Sequence, residues 1–371
     1  MKRPFLTALL FVWLTAAEVG VAEANAASVM VWGTAAYLVL GNLFLGIFEG
    51  LVLCHWFRTS AERAIFSMIL ANYLSAWTGA SLLSFDPVQR FDVTIETIQP
   101  WFVAAFAAAF LLTLLIEFPF ISFVVWNHPR RVRAIAIATI TIHVVGYSLV
   151  AMWLGLVSST SLITAFSVVS VKDLDPPADI DVYYLARPAG DLVQINLQRE
   201  LPTVLANPAA INANDRLFVR PGPDKTFDLW LTRSPHQYAW SKNPGEKLVS
   251  EFARRAAIEV SIAEVPESKP RNTFWNFGDI PSLVFGTESE YSAISNGALV
   301  QSRKNSNRGK SYFALETPLV TWMIRNVTEV NRDLLVLQLG RDQICLLQPS
   351  TRRIALLARG WGPVVGANSL P

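Results

Sequence analysis

Apolar residues in the first part of the chain are concentrated in four long runs with few polar interruptions. An α-helix needs roughly 20 residues to cross the hydrocarbon core of a bilayer, and each run is at least that long. The pattern therefore predicts four transmembrane helices. They occupy residues 29–56, 64–84, 101–126 and 134–157.

The first 26 residues have the pattern of a secretory signal. A basic pair at residues 2 and 3 precedes an apolar stretch over residues 4–17, and an Ala-X-Ala sequence ends at Ala26. We expect cleavage after Ala26, with an uncleaved anchor as the alternative. In both cases Ala27 is predicted to lie outside the cytoplasm.

Positive charge lies on two of the connections between the predicted helices. Residues 58–63 and 127–133 carry five arginines, whereas the connection 85–100 holds three acidic residues and one arginine. Cytoplasmic connections of membrane proteins are enriched in Lys and Arg, so the first two are predicted to be cytoplasmic. This orientation agrees with an exported N-terminus. It predicts a multi-pass protein of a bacterial inner membrane with a periplasmic C-terminal part.

Composition supports this division of the chain. Hydrophobic residues make up 52% of the sequence and charged residues only 16%, below the quarter that is typical of soluble proteins. A formal net charge of +2 gives no reason to expect a nucleic-acid partner. We divide the chain into a signal segment (1–26), a four-helix transmembrane domain (27–158) whose partner is the lipid bilayer, and an extracytoplasmic β-rich domain (159–371).

The few polar residues inside the apolar runs lie beside small residues. Helical spacing places Asn42, Gly46, Glu49 and Gly50 on one face of the first helix. Small residues let another helix approach closely, and polar side chains can hydrogen-bond across such a contact. The same combination recurs in the other three helices. The predicted intramembrane polar centre consists of Asn42, Glu49, Asn72, Glu117 and His143.

Two interpretations of this centre follow from the cost of polar groups in lipid. A charged side chain at the bilayer centre costs about 2.5–3.5 kcal/mol on insertion scales, so it is normally paired, hydrated or neutralised. In the first interpretation, hydrogen bonds among the five residues fix the register of the helices. In the second, Glu49, Glu117 and His143 relay protons or ions for transport or intramembrane catalysis. The absence of a repeated half or an interrupted helix in the sequence favours the first.

Beyond residue 160 the pattern changes to short β-prone runs separated by Pro, Gly, Asn and Asp. It predicts a mostly antiparallel β domain, either a sandwich or a partial propeller-like meander. One helix is predicted over residues 245–257, where Leu248, Phe252 and Arg255 follow helical spacing.

Sequence motifs for catalysis are missing from this part, so no cofactor and no metal are predicted. Aromatic residues in its loops form a candidate binding surface, with packing in the core or between the domain and the membrane as the alternative. We expect the domain to bind a protein or envelope component without being an enzyme. The alternatives are a proton- or ion-coupled transport unit in the helices and, less favoured, an enzyme in the β domain. The candidate aromatics are Trp230, Tyr238, Trp240, Trp275 and Phe277.

Overall fold

The chain divides into two compact units, residues Met1–Ser159 with Thr317–Val320, and the remainder. The predicted signal segment, residues 1–26, lies outside the described residues, and its cleavage stays a prediction. The computed structural model describes residues 37–83, 91–157, 165–199, 201–208, 215–232, 245–256, 278–279, 283, 291–293, 299–301, 311–313, 315–317, 320–322 and 324–367.

The first unit contains four long helices within its described part. The last three begin at residues 61, 98 and 131, earlier than the apolar runs at 64, 101 and 134, because their first turns contain polar residues or Pro100. A first turn tolerates both, since its N–H groups have no partner within the helix. The helices are α1 (Asn42–Phe57), which continues the π-helical turn Tyr37–Gly41, α2 (Ala61–Leu83), α3 (Ile98–Val124) and α4 (Arg131–Val157).

Three segments in the described chain are long and apolar enough to cross a membrane: Val39–Phe57, Ile98–Val124 and Arg131–Leu149. Helix α2 has sufficient length, but polar residues such as Ser67 and Asn72 lower its apolar character. The helical unit thus has spans typical of a membrane protein. A crossing by α2 remains an expectation.

The helical unit buries polar side chains and exposes large apolar ones. All five members of the predicted polar centre are between 1% and 4% exposed. In contrast, Phe66, Leu115, Val132 and Ile140 are 70%, 74%, 78% and 64% exposed. Soluble proteins have the reverse preference, because large apolar surfaces are costly in water. The arrangement is the one expected of helices surrounded by lipid.

Two glycines allow α1 and α2 to pack with their backbones almost in contact. A Cβ atom added at Gly46 would lie 2.6 Å from Ile69 Cα, and one added at Gly50 would overlap the backbone of Ile65. These glycines are four positions apart in the sequence and so lie on one helix face. The Gly-X-X-X-Gly pair noted in the sequence is therefore the contact surface between α1 and α2.

The rest of the described chain is largely β-structure. Two 3₁₀ turns, Val171–Leu174 and Pro223–Lys225, interrupt it. Its strands are β1 (Ser167–Val168), β2 (Ile180–Ala186), β3 (Leu192–Asn196), β4 (Pro202–Ala206), β5 (Arg216–Pro221), β6 (Phe227–Thr232), β7 (Glu246–Ala253), β8 (Arg255–Ala256), β9 (Gly278–Asp279), β10 (Tyr291–Ala293), β11 (Leu299–Gln301), β12 (Ser311–Phe313), β13 (Leu315–Thr317), β14 (Val320–Trp322), β15 (Ile324–Asn331), β16 (Leu334–Leu339), β17 (Gln343–Gln348) and β18 (Arg353–Ala367).

The main sheet curls around strand β18. Its order is β15-β16-β17-β18-β2-β3-β4, and β1 and β8 also pair with β18. The first half of β18 pairs with β17 and the second half with β2. Register shifts along β18 bend it, as β-bulges do. Smaller sheets have the orders β5-β6-β7, β12-β11-β10-β9 and β13-β14.

Alternate residues of β2 enter two different hydrophobic cores. Val182 packs inside the curl with residues such as Val336 and Ile344. Tyr183 packs on the opposite face, together with Leu229 of β6 and other residues of the β5-β6-β7 sheet. Side chains alternate between the two faces of a strand, so one strand can contribute to both cores. The prediction of a largely β domain is confirmed.

The prediction of a helix over residues 245–257 is wrong. Residues Glu246–Ala253 form strand β7, which pairs antiparallel with β6. Leu248 and Phe252 pack in the same core, and a spacing of four residues places two side chains on one face of either a helix or a strand. Backbone pairing with β6 decides between the two, and the spacing alone does not encode it.

Substitution of Gly50 tests the contact between α1 and α2. Gly50→Ala is expected to lower the thermal unfolding midpoint in detergent, because overpacking typically costs about 1–3 kcal/mol. Gly79→Ala in α2 is the matched control, since a Cβ atom there meets nothing within 4 Å. The control should unfold at the wild-type temperature or slightly above it. Equal midpoints for the two variants would contradict the proposed close packing.

Candidate functional site in the helical unit

Helices α1 and α2 are joined by a hydrogen bond between two buried side chains. Asn72 Nδ2 donates to Glu49 Oε2 over 2.6 Å and to Met68 O over 3.0 Å. The amide nitrogen carries two hydrogens, so both are engaged. Glu49 lies between Gly46 and Gly50 in sequence, and their close packing brings its carboxyl group to α2.

A second pair joins α2 to α3 one turn further along α2. Ser75 Oγ donates to Glu117 Oε1 over 2.8 Å. The same hydroxyl oxygen lies 3.1 Å from Asn72 O, which is a weaker acceptor than a carboxylate. Glu117 of α3 is thereby bound to α2, the helix that also donates a hydrogen bond to Glu49 of α1.

His143 of α4 faces the other oxygen of the Glu117 carboxyl group. His143 Nδ1 lies 2.8 Å from Thr139 O, and a carbonyl oxygen only accepts, so Nδ1 carries a hydrogen. In a neutral imidazole the other nitrogen, Nε2, then presents a lone pair. Nε2 lies 3.7 Å from Glu117 Oε2. Both atoms are then acceptors, so a shared proton or a bridging donor such as water is needed to join them.

The distance between His143 and Glu117 is too long for a direct hydrogen bond. His143 Nε2 has no hydrogen-bond partner among the described residues, although it is buried. Buried polar atoms without protein partners are commonly bound by ordered water, and contacts beyond 3.5 Å are often bridged in this way. The rings of Phe110 and Tyr147 border the imidazole, with centroids 6.0 and 6.4 Å from it.

Helix α4 also contacts the carboxyl group of Glu49. A Cβ atom added at Gly146 would lie 2.8 Å from Glu49 Oε1. The glycine therefore leaves the space that this oxygen occupies. As a result, the polar centre receives side chains or a backbone surface from all four helices.

The structure brings four of the five predicted residues together, namely Glu49, Asn72, Glu117 and His143. Asn42 is buried as well, about two turns before Glu49 on α1. The sequence-based selection omitted Ser75, which connects α2 to Glu117. Its spacing of three residues from Asn72 is the signal that identifies it, because residues three apart lie on the same helix face.

The charge balance of the centre limits its protonation states. Within the part of the chain that the structure describes, His143 is the one basic side chain paired with these carboxyl groups. Burying an uncompensated charge costs several kcal/mol, so two adjacent negative charges with no cation are unfavourable. No cluster of three or more His, Cys, Asp or Glu residues suited to a metal ion occurs among the described residues.

Of the five candidate binding aromatics, Trp230 lies within the described chain. Tyr238, Trp240, Trp275 and Phe277 lie outside the described residues. Trp230 is half-buried on β6, between the guanidinium of Arg220 at 4.5 Å and the ammonium of Lys247 at 5.5 Å from its ring centroid. Cations at these distances are attracted to the face of an indole. Trp230 thus has its own partners on the β5-β6-β7 sheet.

Asp228 balances part of this positive charge. Its Oδ2 atom lies 2.7 Å from Lys247 Nζ, and Glu251 N donates to its Oδ1 atom over 2.9 Å. Burial raises the pKa of Asp228, but the hydrogen bonds from Lys247 and Glu251 outweigh it and hold the pKa below its ordinary value. Asp228 is therefore ionised at neutral pH.

Two serine substitutions separate a contact between helices from one within a helix. Ser75→Ala removes the donor to Glu117 and is expected to cost about 1–2 kcal/mol of stability. Ser148→Ala is the matched control, because exposed Ser148 donates to Val144 O of its own helix. The measurement is the thermal unfolding midpoint of each purified variant in detergent. A wild-type midpoint for Ser75→Ala would contradict a stabilising role for this contact.

Comparison with protein-family models, with curated proteins and with solved structures finds no match to this chain.

Proposed function

We propose that the chain is an integral membrane protein whose four helices anchor the β-rich unit at the outer surface of the membrane. The observation that carries this proposal is the inverted distribution of side chains in the helical unit, with Glu49 and Glu117 buried and residues such as Phe66 and Leu115 exposed. That distribution is stable when the surrounding solvent is lipid. Helix α2 then crosses with the other three, because its hydrogen bonds to Glu49 and Glu117 satisfy its polar side chains.

In this proposal the polar centre fixes the register of the helices. Asn72 and Ser75 each pair with a carboxyl group on a different helix, so sliding α2 by one turn would break both contacts. Unpaired polar groups are costly in hydrocarbon, which penalises other arrangements. The centre specifies one packing of helices whose other contacts are apolar.

The β-rich unit is proposed to bind a protein or a component of the cell envelope. It has hydrophobic cores of its own, built from the curled sheet and from the β5-β6-β7 sheet. A unit with its own cores does not need the helices to bury its apolar residues. Anchoring such a unit is a common way to hold a binding domain at a membrane surface.

A second candidate function is proton exchange through the polar centre. The observation that favours it is the orientation of His143 Nε2 towards Glu117 Oε2 at 3.7 Å, a separation that one bridging water can span. Imidazole and carboxyl groups exchange protons readily near neutral pH. Intramembrane acids and histidines of this kind are typical of proton relays.

Cysteine labelling tests the proposed topology. In a Cys54→Ala background, an impermeant maleimide is expected to label Thr351→Cys in spheroplasts and Asn127→Cys only after the membrane is disrupted. Both positions are exposed, and the native Cys345 is fully buried. Labelling of both positions from the same side would refute the orientation. Recovery of the protein in the soluble fraction rather than in the membrane fraction would refute anchoring itself.

Proton flux through reconstituted vesicles tests the second candidate. If the centre relays protons, Glu117→Gln is expected to reduce the rate of internal pH change after a pH jump to that of protein-free vesicles. The thermal midpoint should change little, because the amide oxygen can still accept from Ser75. Glu62→Gln is the matched control, since Glu62 is an exposed acid in the first turn of α2. If wild type and Glu117→Gln show equal proton flux and the variant is less stable, the second candidate is refuted. The polar centre then has a structural role alone.

A further inference from the structure

Five arginines lie at one end of the helical unit, on the two connections between helices at that end and in the first turns of α2 and α4. The connections are adjacent, because the rings of Phe57 and His128 are in edge-to-face contact with centroids 5.9 Å apart. Next to them, Leu53 of α1 packs in one core with residues of the other three helices, including Val124 and Ala134. We call this surface the basic end. It carries Arg58, Arg63, Arg130, Arg131 and Arg133.

Little negative charge accompanies the positive charge of the basic end within the described chain. All five arginines are exposed, and none of them forms an ion pair within the described chain. Glu62 is the one acidic residue on residues 57–63 and 125–133. Five positive charges therefore face one carboxylate. Such an excess attracts anions, most strongly where several charges act on one surface.

Aromatic rings hold two of the arginine head groups at the edge of the apolar surface. The guanidinium of Arg131 lies 4.6 Å from the ring centroid of Trp126, and that of Arg63 lies 5.8 Å from the ring of Phe123. Both rings are more than half exposed, as is Trp56. Indole rings with this exposure favour the boundary between hydrocarbon and lipid headgroups. Rings at that boundary would hold these arginines at the depth of the headgroups.

We propose that the basic end binds the headgroups of anionic phospholipids, such as phosphatidylglycerol. The inference rests on the proposed membrane insertion of the helices. Arginine matches the phosphate group through several N–H donors in one plane. A soluble phosphate would satisfy the charges but would leave the rings of Trp56, Phe123 and Trp126 in water. A phospholipid provides the anion and the apolar surroundings at the same time.

Lipid selectivity of the reconstituted full-length protein tests this site. Spin-labelled phosphatidylglycerol and spin-labelled phosphatidylcholine are compared at equal mole fraction in phosphatidylcholine vesicles, and electron paramagnetic resonance gives their relative association with the protein. Wild type is expected to prefer phosphatidylglycerol, and one arginine near an anionic surface contributes a preference of roughly five-fold. The variant R58Q/R131Q should lower the preference by at least that factor, while R58K/R131K should retain most of it.

The matched control is R332Q/R352Q, because both arginines are exposed on strand connections of the β-rich unit. It should select lipids as wild type does. A wild type without selectivity, or an R58Q/R131Q variant with unchanged selectivity, would overturn the proposal. Loss of selectivity on adding inorganic phosphate at constant ionic strength would also overturn it, in favour of a soluble anion. Failure of membrane insertion itself is recognised separately, because the protein would then not float with the vesicles.

Discussion

The helical unit depends on burying two carboxyl groups and an imidazole between its helices. Each polar side chain in that position needs a partner from another helix, because the apolar surroundings offer none. Asn72 and Ser75 supply the donors for Glu49 and Glu117 from a single helix. Helix α2 is therefore the element to which α1 and α3 are attached, and it is also the least apolar of the four.

Close backbone packing makes these short contacts possible. Gly46 and Gly50 remove the side chains that would separate α1 from α2, and Gly146 leaves room for the carboxyl group of Glu49 beside α4. A short side chain such as that of Asn72 reaches a partner helix only when the two backbones are near. The glycines and the polar residues thus act together, because the polar contacts can form only where the glycines allow the helices to pack closely.

The sequence predicted most of this centre because lipid restricts the choices. Glu49 and Glu117 occur in runs that are otherwise apolar, and their cost in lipid implies partners within the protein. The helical period then selects the face on which they lie. The β-rich unit was less predictable, because strand pairing joins distant residues and leaves a weaker local signal. Leu248 and Phe252 illustrate this, since their spacing fits a helix and a strand equally well and pairing with β6 determines the outcome.

The two roles proposed for the polar centre place opposite demands on the contact between His143 and Glu117. A contact that only fixed helix register would be most stable at hydrogen-bonding distance, as the pairs made by Asn72 and Ser75 are. The separation of 3.7 Å gives up that stability and leaves Nε2 without a protein partner among the described residues. A proton carrier benefits from such a gap, because a donor and an acceptor held too firmly together exchange protons with nothing else. Among the described residues, α1, α2 and α3 are joined by closed hydrogen bonds, whereas the pair between α3 and α4 stays open, as the proposed proton exchange would need.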